Sequence, residues 1–287
     1  MDGKKKLTVF TPTYNRAHLL KRVYDSLTKQ NSNDFLWLII DDGSKDNTKE
    51  IVDSFISEGK IEIIYKYFEN GGKMRAHNRA AELADTELFL CLDSDDWLNE
   101  DAVDTLIRTW NEKGNNNLAG IISHKGASET KLLSGVEFPA GIDKSTLYGL
   151  YLKGFRGETT IMFRTDVIKN YPFPEIDGEK YVPEDYIYDK IDAKYEYVVL
   201  PCITTICELM EKGYTDSVSE LKERNKEAFY LYYEQRARIT PVSLLKIKYA
   251  GFYVKFAKKT GKDVFKTKLP KVYIIIGMLA SKFIKGL

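Results

Sequence analysis

LFLCLDSDDWL, Leu88 to Leu98, is the stretch whose reading decides the fold. An apolar run from Leu88 to Leu92 ends abruptly in Asp93, Ser94, Asp95 and Asp96, and a helix-like segment opens at about Asn99. A short buried strand that delivers three carboxylates to its carboxyl end is an odd thing to build for stability alone. Clustered like charges repel unless a cation or a proton sits among them. The pattern therefore predicts a divalent-metal site. An Asp-rich turn capping the next helix is the bland alternative. An EF-hand fits worse, because counting from Asp93 puts Trp97 at the fifth loop position and Leu98 where the turn glycine belongs.

The segments on either side repeat the design. Leu7 to Thr11 reads as a strand closed by Pro12, Thr13, Tyr14, Asn15 and Arg16, and the helix after it carries Leu19, Leu20, Val23 and Leu27 on one face as far as Gln30. Phe35 to Ile40 is a second strand, closed by Asp41, Asp42, Gly43 and Ser44, and its helix ends at Gly59. Ile61 to Tyr67 stops at Glu69, Asn70, Gly71 and Gly72, and a helix bearing Lys73 and Asn78 runs through Ala84. Beyond the opening stretch come a helix over Glu100 to Lys113 and a strand near Leu118 to Ser123. This alternation predicts an α/β fold, a mostly parallel mixed sheet flanked by helices. Ligands in such sheets lie outside the carboxyl ends of the strands, where all four polar loops fall, so one crevice is expected to gather them.

The pattern weakens from Lys125 to Tyr171, which reads as irregular structure with a short helix at Thr146 to Lys153 and a strand at Thr159 to Arg164. Pro183, Glu184 and Asp185 open a helix, and Tyr195 to Leu200 resumes strand character. The chain is mainly helical after Ser217. Residues 1–217 are thus expected to form the catalytic domain and 218–287 a helical, basic, amphipathic extension.

At 287 residues, 43% hydrophobic and 30% charged, the composition is that of a folded protein. A net charge of +1 hides an asymmetry: Gln235 to Leu287 holds thirteen Lys or Arg against the single acid Asp263, or +12, which leaves about −11 for the rest. Cys91, Cys202 and Cys207 make no disulfide framework and no metal spacing with a histidine. Lys4, Lys5 and Lys6 run straight into a strand, so no secretory signal is expected and a cytoplasmic location is.

The runs TPTYNR (Thr11 to Arg16), DDGSKDNT (Asp41 to Thr48), ENGGKMRAHNRA (Glu69 to Ala80), LDSDDW (Leu92 to Trp97) and PED (Pro183 to Asp185) resemble, in order, the motifs of family 2 glycosyltransferases with the GT-A fold. The resemblance spans about residues 5 to 215. It implies inverting transfer of a sugar from a nucleotide diphosphate sugar, most often a UDP sugar, with Mg²⁺ or Mn²⁺. By position, Thr11, Pro12, Tyr14 and Arg16 would line the nucleoside pocket and Asp42 would hydrogen-bond the base. Lys73 and Asn78 fall in a nucleotide-contacting loop. Asp93 would reach the ribose or the metal, Asp95 would ligate the metal, and Asp185 would be the catalytic base, with Asp189 one helical turn on in reserve. Some members add a histidine metal ligand after the base; this chain has no histidine after His124, and His18, His77 and His124 read as structural.

The basic tail mixes Leu244, Ile247, Phe252 and Tyr253 with Lys248, Lys255, Lys258 and Lys259, as a surface-lying helix does. Val272 to Ala280, even extended to Ile284, is too short to span a bilayer. Peripheral attachment to the inner face of an anionic membrane is expected, in line with a glycan or lipid-linked acceptor; a homodimer contact is the alternative use. No nucleic-acid motif accompanies the charge. Two other functions compete: a membrane-associated scaffold that keeps the fold without catalysis, and a sugar nucleotidyltransferase. The latter wants a Gly-rich basic loop after the first strand, and TPTYNR is not one.

Overall fold

The computed structural model of the chain describes residues 4–208 and 218–282, in two compact units. One comprises Met1–Pro172 with Tyr188–Leu209; the other comprises Phe173–Ile187 with Met210–Leu287.

The first unit runs β1 (Leu7–Thr13), α1 (Ala17–Thr28), β2 (Phe35–Asp41), α2 (Thr48–Glu58), β3 (Ile63–Tyr67), α3 (Lys73–Leu83), β4 (Leu88–Cys91), β5 (Asp96–Leu98), α4 (Ala102–Lys113), β6 (Leu118–Gly126), β7 (Lys144–Ser145), α5 (Leu147–Leu152), β8 (Thr159–Arg164) and α6 (Thr165–Lys169). The division between units falls inside α7 (Asp185–Asp192), and β9 (Glu196–Cys207) closes the unit. The sheet order is β3-β2-β1-β4-β8-β6-β9-β5, with β7 beside β9. β1 to β4 pair in parallel, as do β6 and β9, whereas β8, β5 and β7 run antiparallel to their neighbours. Every residue of β1 and β2 is buried, as interior strands covered on both faces must be. Tyr24 of α1 stacks on Phe55 of α2 at 4.1 Å, over Trp37 of β2. Gly59, at φ 62°, takes the left-handed cap that ends α2.

The stretch that opened the reading differs in one respect. Asp96 to Leu98 is not the approach to a helix but β5, paired antiparallel with Thr205 to Cys207 of β9, and α4 starts later, at Ala102. The partner strand lies about a hundred residues away, so local patterning carried no trace of it. The fifth expected strand likewise runs on through Lys125 to Gly126, because β9 continues alongside it.

The second unit is built on α8 (Val218–Arg224), α9 (Lys226–Ile239), α10 (Leu244–Lys259) and α11 (Lys271–Ala280). Phe229, Tyr233, Phe252, Tyr253, Phe256 and Ile274 form its core. α10 therefore does not lie on the surface as expected: Phe252 and Tyr253 point into this core. Gly277 lets α11 sit against α10, since a Cβ there would lie 2.7 Å from the Ala250 carbonyl oxygen. Residues 173–187 belong with these helices because they cap one: the Glu179 carboxylate accepts the Glu227 and Ala228 N–H groups at 2.8 and 2.9 Å, at the start of α9. The boundary expected after residue 217 and the extension to residue 284 lie at or beyond the described residues. Among those described, no helix is long and apolar enough to cross a membrane.

Candidate active site

Four loops at the carboxyl ends of β1 to β4 are tied into a closed circuit. The first two meet where Asn15, held at φ 52°, donates its N–H to Ser44 Oγ (2.9 Å) and accepts that of Lys45 (2.7 Å). Asp46 joins the same two loops by accepting the N–H of Ala17 at 3.0 Å, and burial, which would push its carboxyl up, is outweighed by hydrogen bonds from Thr48 and Ala17 that hold it below the ordinary value. The second and third loops meet at Asp42, whose two carboxylate oxygens accept the N–H groups of Gly71 and Gly72 at 2.8 and 2.7 Å. The third and fourth meet where Lys73 Nζ lies 2.8 and 2.9 Å from the oxygens of Asp93. Arg16 closes the ring from first to fourth, 3.1 Å from Asp95 Oδ2 and 3.3 Å from Ser94 Oγ.

Exposure alternates along the fourth loop: Asp93 and Asp95 are partly open, Ser94 and Asp96 buried. Behind it, Lys125 of β6 reaches Asp96 at 2.7 Å. Burial pulls the Lys125 ammonium down, but Asp96 and then Asp93 hold it above the ordinary lysine value. Burial pushes Asp93 up, yet Lys73, Lys125 and Arg16 together bring it down to about 2. Asp96 is raised, by burial first and by the Asp93 charge, against the pull of Lys125. Burial also raises the Cys207 thiol, which stays protonated and hydrogen-bonded to Asp96. Arg22 of α1 braces the loop from outside, donating to the Asp95 carbonyl at 2.6 Å with its guanidinium 4.3 Å from the Trp97 ring centroid. Neither Lys125 nor Arg22 was expected, because each lies in a segment without a motif; only the excess of carboxylates at Asp93 to Asp96 called for cations somewhere.

The expected residues differ in their surroundings. The Thr11 hydroxyl is buried and accepts the Trp37 indole N–H at 2.9 Å, so its side chain serves the core. Pro12 is buried in β1, Tyr14 is 45% exposed in the first loop, and Asn78 is half-buried on α3. Asp42 is 4% exposed and engaged by the glycine loop. Asp185 belongs to the helical unit, where it is about half exposed, 2.7 Å from Arg236 Nη2. Asp189 is buried, beside the equally buried Tyr197.

Among the described residues, no three His, Cys, Asp or Glu side chains are grouped to hold a metal by themselves. Asp93 and Asp95 nonetheless suit Mg²⁺ or Mn²⁺ held jointly with a ligand: these cations favour one or two carboxylates with phosphate oxygens and water.

A family model, "Glycosyl transferase family 2", matches residues 8–171, which hold all four loops. The chain belongs to glycosyl transferase family 2. Among curated relatives, the GalNAc(5)-diNAcBac-PP-undecaprenol beta-1,3-glucosyltransferase of Campylobacter jejuni is 30% identical over 175 residues, 59% of this chain and 55% of that protein. The chain thus spans about half the length of this curated relative. Staphylococcus aureus TarS 1–349, solved with UDP-GlcNAc, superposes with TM-score 0.63 at 19% identity, over 88% of this chain and 71% of that one. The mannosyltransferase PcManGT of Pyrobaculum calidifontis, solved with GDP-Man and Mn²⁺, gives 0.61 at 16% identity, over 99% and 82%. At such identities they establish the fold, GT-A, for this family 2 chain.

Proposed function

We propose that this family 2 chain is an inverting glycosyltransferase that moves a sugar from a nucleotide diphosphate sugar, most simply a UDP sugar, to a hydroxyl of a glycan or lipid-linked acceptor in cell-surface polysaccharide synthesis. The observation that carries the reading is the circuit of four loops, which sets Lys73 and Arg16 against Asp93 and Asp95 at the end of the sheet where nucleotides bind. The UDP-GlcNAc bound by TarS and the undecaprenol-linked substrate named for the Campylobacter relative support the donor and acceptor classes.

Asp93 and Asp95 would hold Mg²⁺ or Mn²⁺ together with the diphosphate, and the cation would supply Lewis-acid neutralisation of the charge on the departing group. Lys73 and Arg16, which balance these carboxylates in the free protein, turn toward the diphosphate as the donor enters. The Asp42 carboxylate holds the Asn70 to Gly72 loop against the nucleotide rather than touching the base itself. At the acceptor, Asp185 takes the hydroxyl proton as oxygen attacks the anomeric carbon from the face opposite the diphosphate; the new C–O bond forms as the bond to diphosphate breaks, inverting the centre. Arg236 keeps Asp185 oriented for this role. Asp185 is preferred to Asp189 because a base must be open to its acceptor, and Asp189 is 5% exposed.

Nucleoside diphosphate released from sugar nucleotides with Mn²⁺ tests the reading. Release from one nucleotide class, abolished in Asp95→Ala, is expected; no release from any donor, with or without acceptor glycans, would overturn it. A thermal-shift series across UDP, GDP and TDP sugars identifies the base, since a ligand of the folded state raises Tm.

A further inference from the structure

α11 has apolar residues on two sides. Ile274 and Gly277 face α10, while Val272, Ile275 and Leu279, three positions along one helical stripe, are 56%, 56% and 60% exposed. A ten-residue helix is about 15 Å long, half of what a bilayer core requires, so an apolar outer stripe suits a helix that lies in an interface rather than one that crosses it. A second exposed apolar feature lies near the first turn of α11. Lys246 at the start of α10 sits 4.9 Å over the Tyr273 ring in the first turn of α11, which brings the corner between α9 and α10 beside that turn. At this corner Val242 and Leu244 are 82% and 85% exposed.

Cations frame the ridge. Lys268 and Lys271 lie at the start of α11 and Lys282 just past its end, all exposed, and α11 itself carries no acid. A soluble helical unit could cover its core without leaving Val242, Leu244, Ile275 and Leu279 in water. A partner that is itself protein would not call for so one-sided a charge. Apolar groups that bury shallowly between exposed lysines at the two ends of a helix match the headgroup layer of an anionic bilayer.

We infer that the outer face of α11, with the Val242 to Leu244 corner, is the surface by which the C-terminal unit docks on anionic lipid, and that α10, whose apolar face is spent on the core, is not. The inference does not depend on sugar transfer, and donor cleavage in solution is a separate readout.

Co-flotation of the full chain with vesicles is the test, using phosphatidylcholine alone and phosphatidylcholine with an equal part of phosphatidylglycerol. Wild-type protein is expected on the anionic vesicles and not on the neutral ones. Ile275→Asp with Leu279→Asp should weaken partitioning about tenfold or more, and Lys268→Gln or Lys271→Gln about fivefold each. Donor cleavage in solution and circular dichroism should be unchanged. Should the α11 double variant misfold, Val242→Asp with Leu244→Asp, at a corner already open to water, carries the same expectation. Failure of wild type to bind anionic vesicles, or undiminished binding by folded variants, would overturn the inference. So would a wild-type dimer that Ile275→Asp dissociates without any effect on flotation, because a second copy would then be the occupant of this face.

Discussion

Lys73 Nζ stands between the two carboxylate oxygens of Asp93, 2.8 Å from one and 2.9 Å from the other, and so links the loop after β3 to the loop after β4. A cation that already balances the site's carboxylate is well placed to meet the diphosphate that displaces it. Lys73→Met should raise the donor KM about ten- to a hundredfold, the worth of a charge-assisted contact, with the larger part of the loss in binding rather than turnover. Initial-rate kinetics over donor concentration decide this; an unchanged KM would remove Lys73 from the donor site.

Lys125 and Asp96 form the pair beneath that loop, with side chains 22% and 8% exposed. Lys125→Met strands the Asp96 charge, and breaking a buried pair costs about 3 to 5 kcal/mol. The double variant Lys125→Met with Asp96→Leu should recover most of the loss, because neither charge is then left unpaired. Urea denaturation of wild type, single and double variants completes the cycle.

How much of the fold and site is legible in the sequence follows from locality. β1 to β4 and their loops can be read because each strand carries its own short apolar run and pairs in parallel with a neighbour, and the polar residues at their ends have no structural reason to cluster. β5 cannot, since Asp96 to Leu98 becomes a strand only through β9. Asp42 falls in the expected loop, but its partners there are not readable from the sequence. Its oxygens are engaged by Gly71 and Gly72 because the second and third loops approach closely, which Gly43, at φ 89°, permits; the motifs hold all three glycines but do not say that the two loops meet. The tail misleads because α10 carries apolar and basic residues in the proportion of a membrane helix, while the aromatic residues of α9 that bury its face lie in a segment that reads only as helical.

Asp185 and Asp189 separate by substitution. Asp185→Asn should lower kcat by about 10² to 10⁴ with little change in donor KM. Asp189→Asn acts on a buried position and should show first as a lower Tm. The reverse pattern would exchange their roles.

His124 gives the chain a pH dependence of its own. Its ring is 2% exposed, stacked on Phe138 at 3.8 Å, with Nε2 3.2 Å from Glu137. Burial depresses its pKa below 6.5, against the raising effect of Glu137. A folded-state value below the unfolded one means a stabilising contribution complete above pH 6.5 and lost as pH falls through the folded value. His124→Gln should flatten the dependence of Tm on pH below 6.5, and a parallel fall in both proteins would refute this source.

The central claim, that the ring of loops after β1 to β4 is a donor-diphosphate site, is tested most directly by equilibrium titration of the preferred sugar nucleotide in Mn²⁺, comparing wild type with Asp95→Ala. A single site in wild type and affinity at least tenfold weaker in a folded Asp95→Ala is the predicted result. Equal affinity in the two proteins would contradict the account.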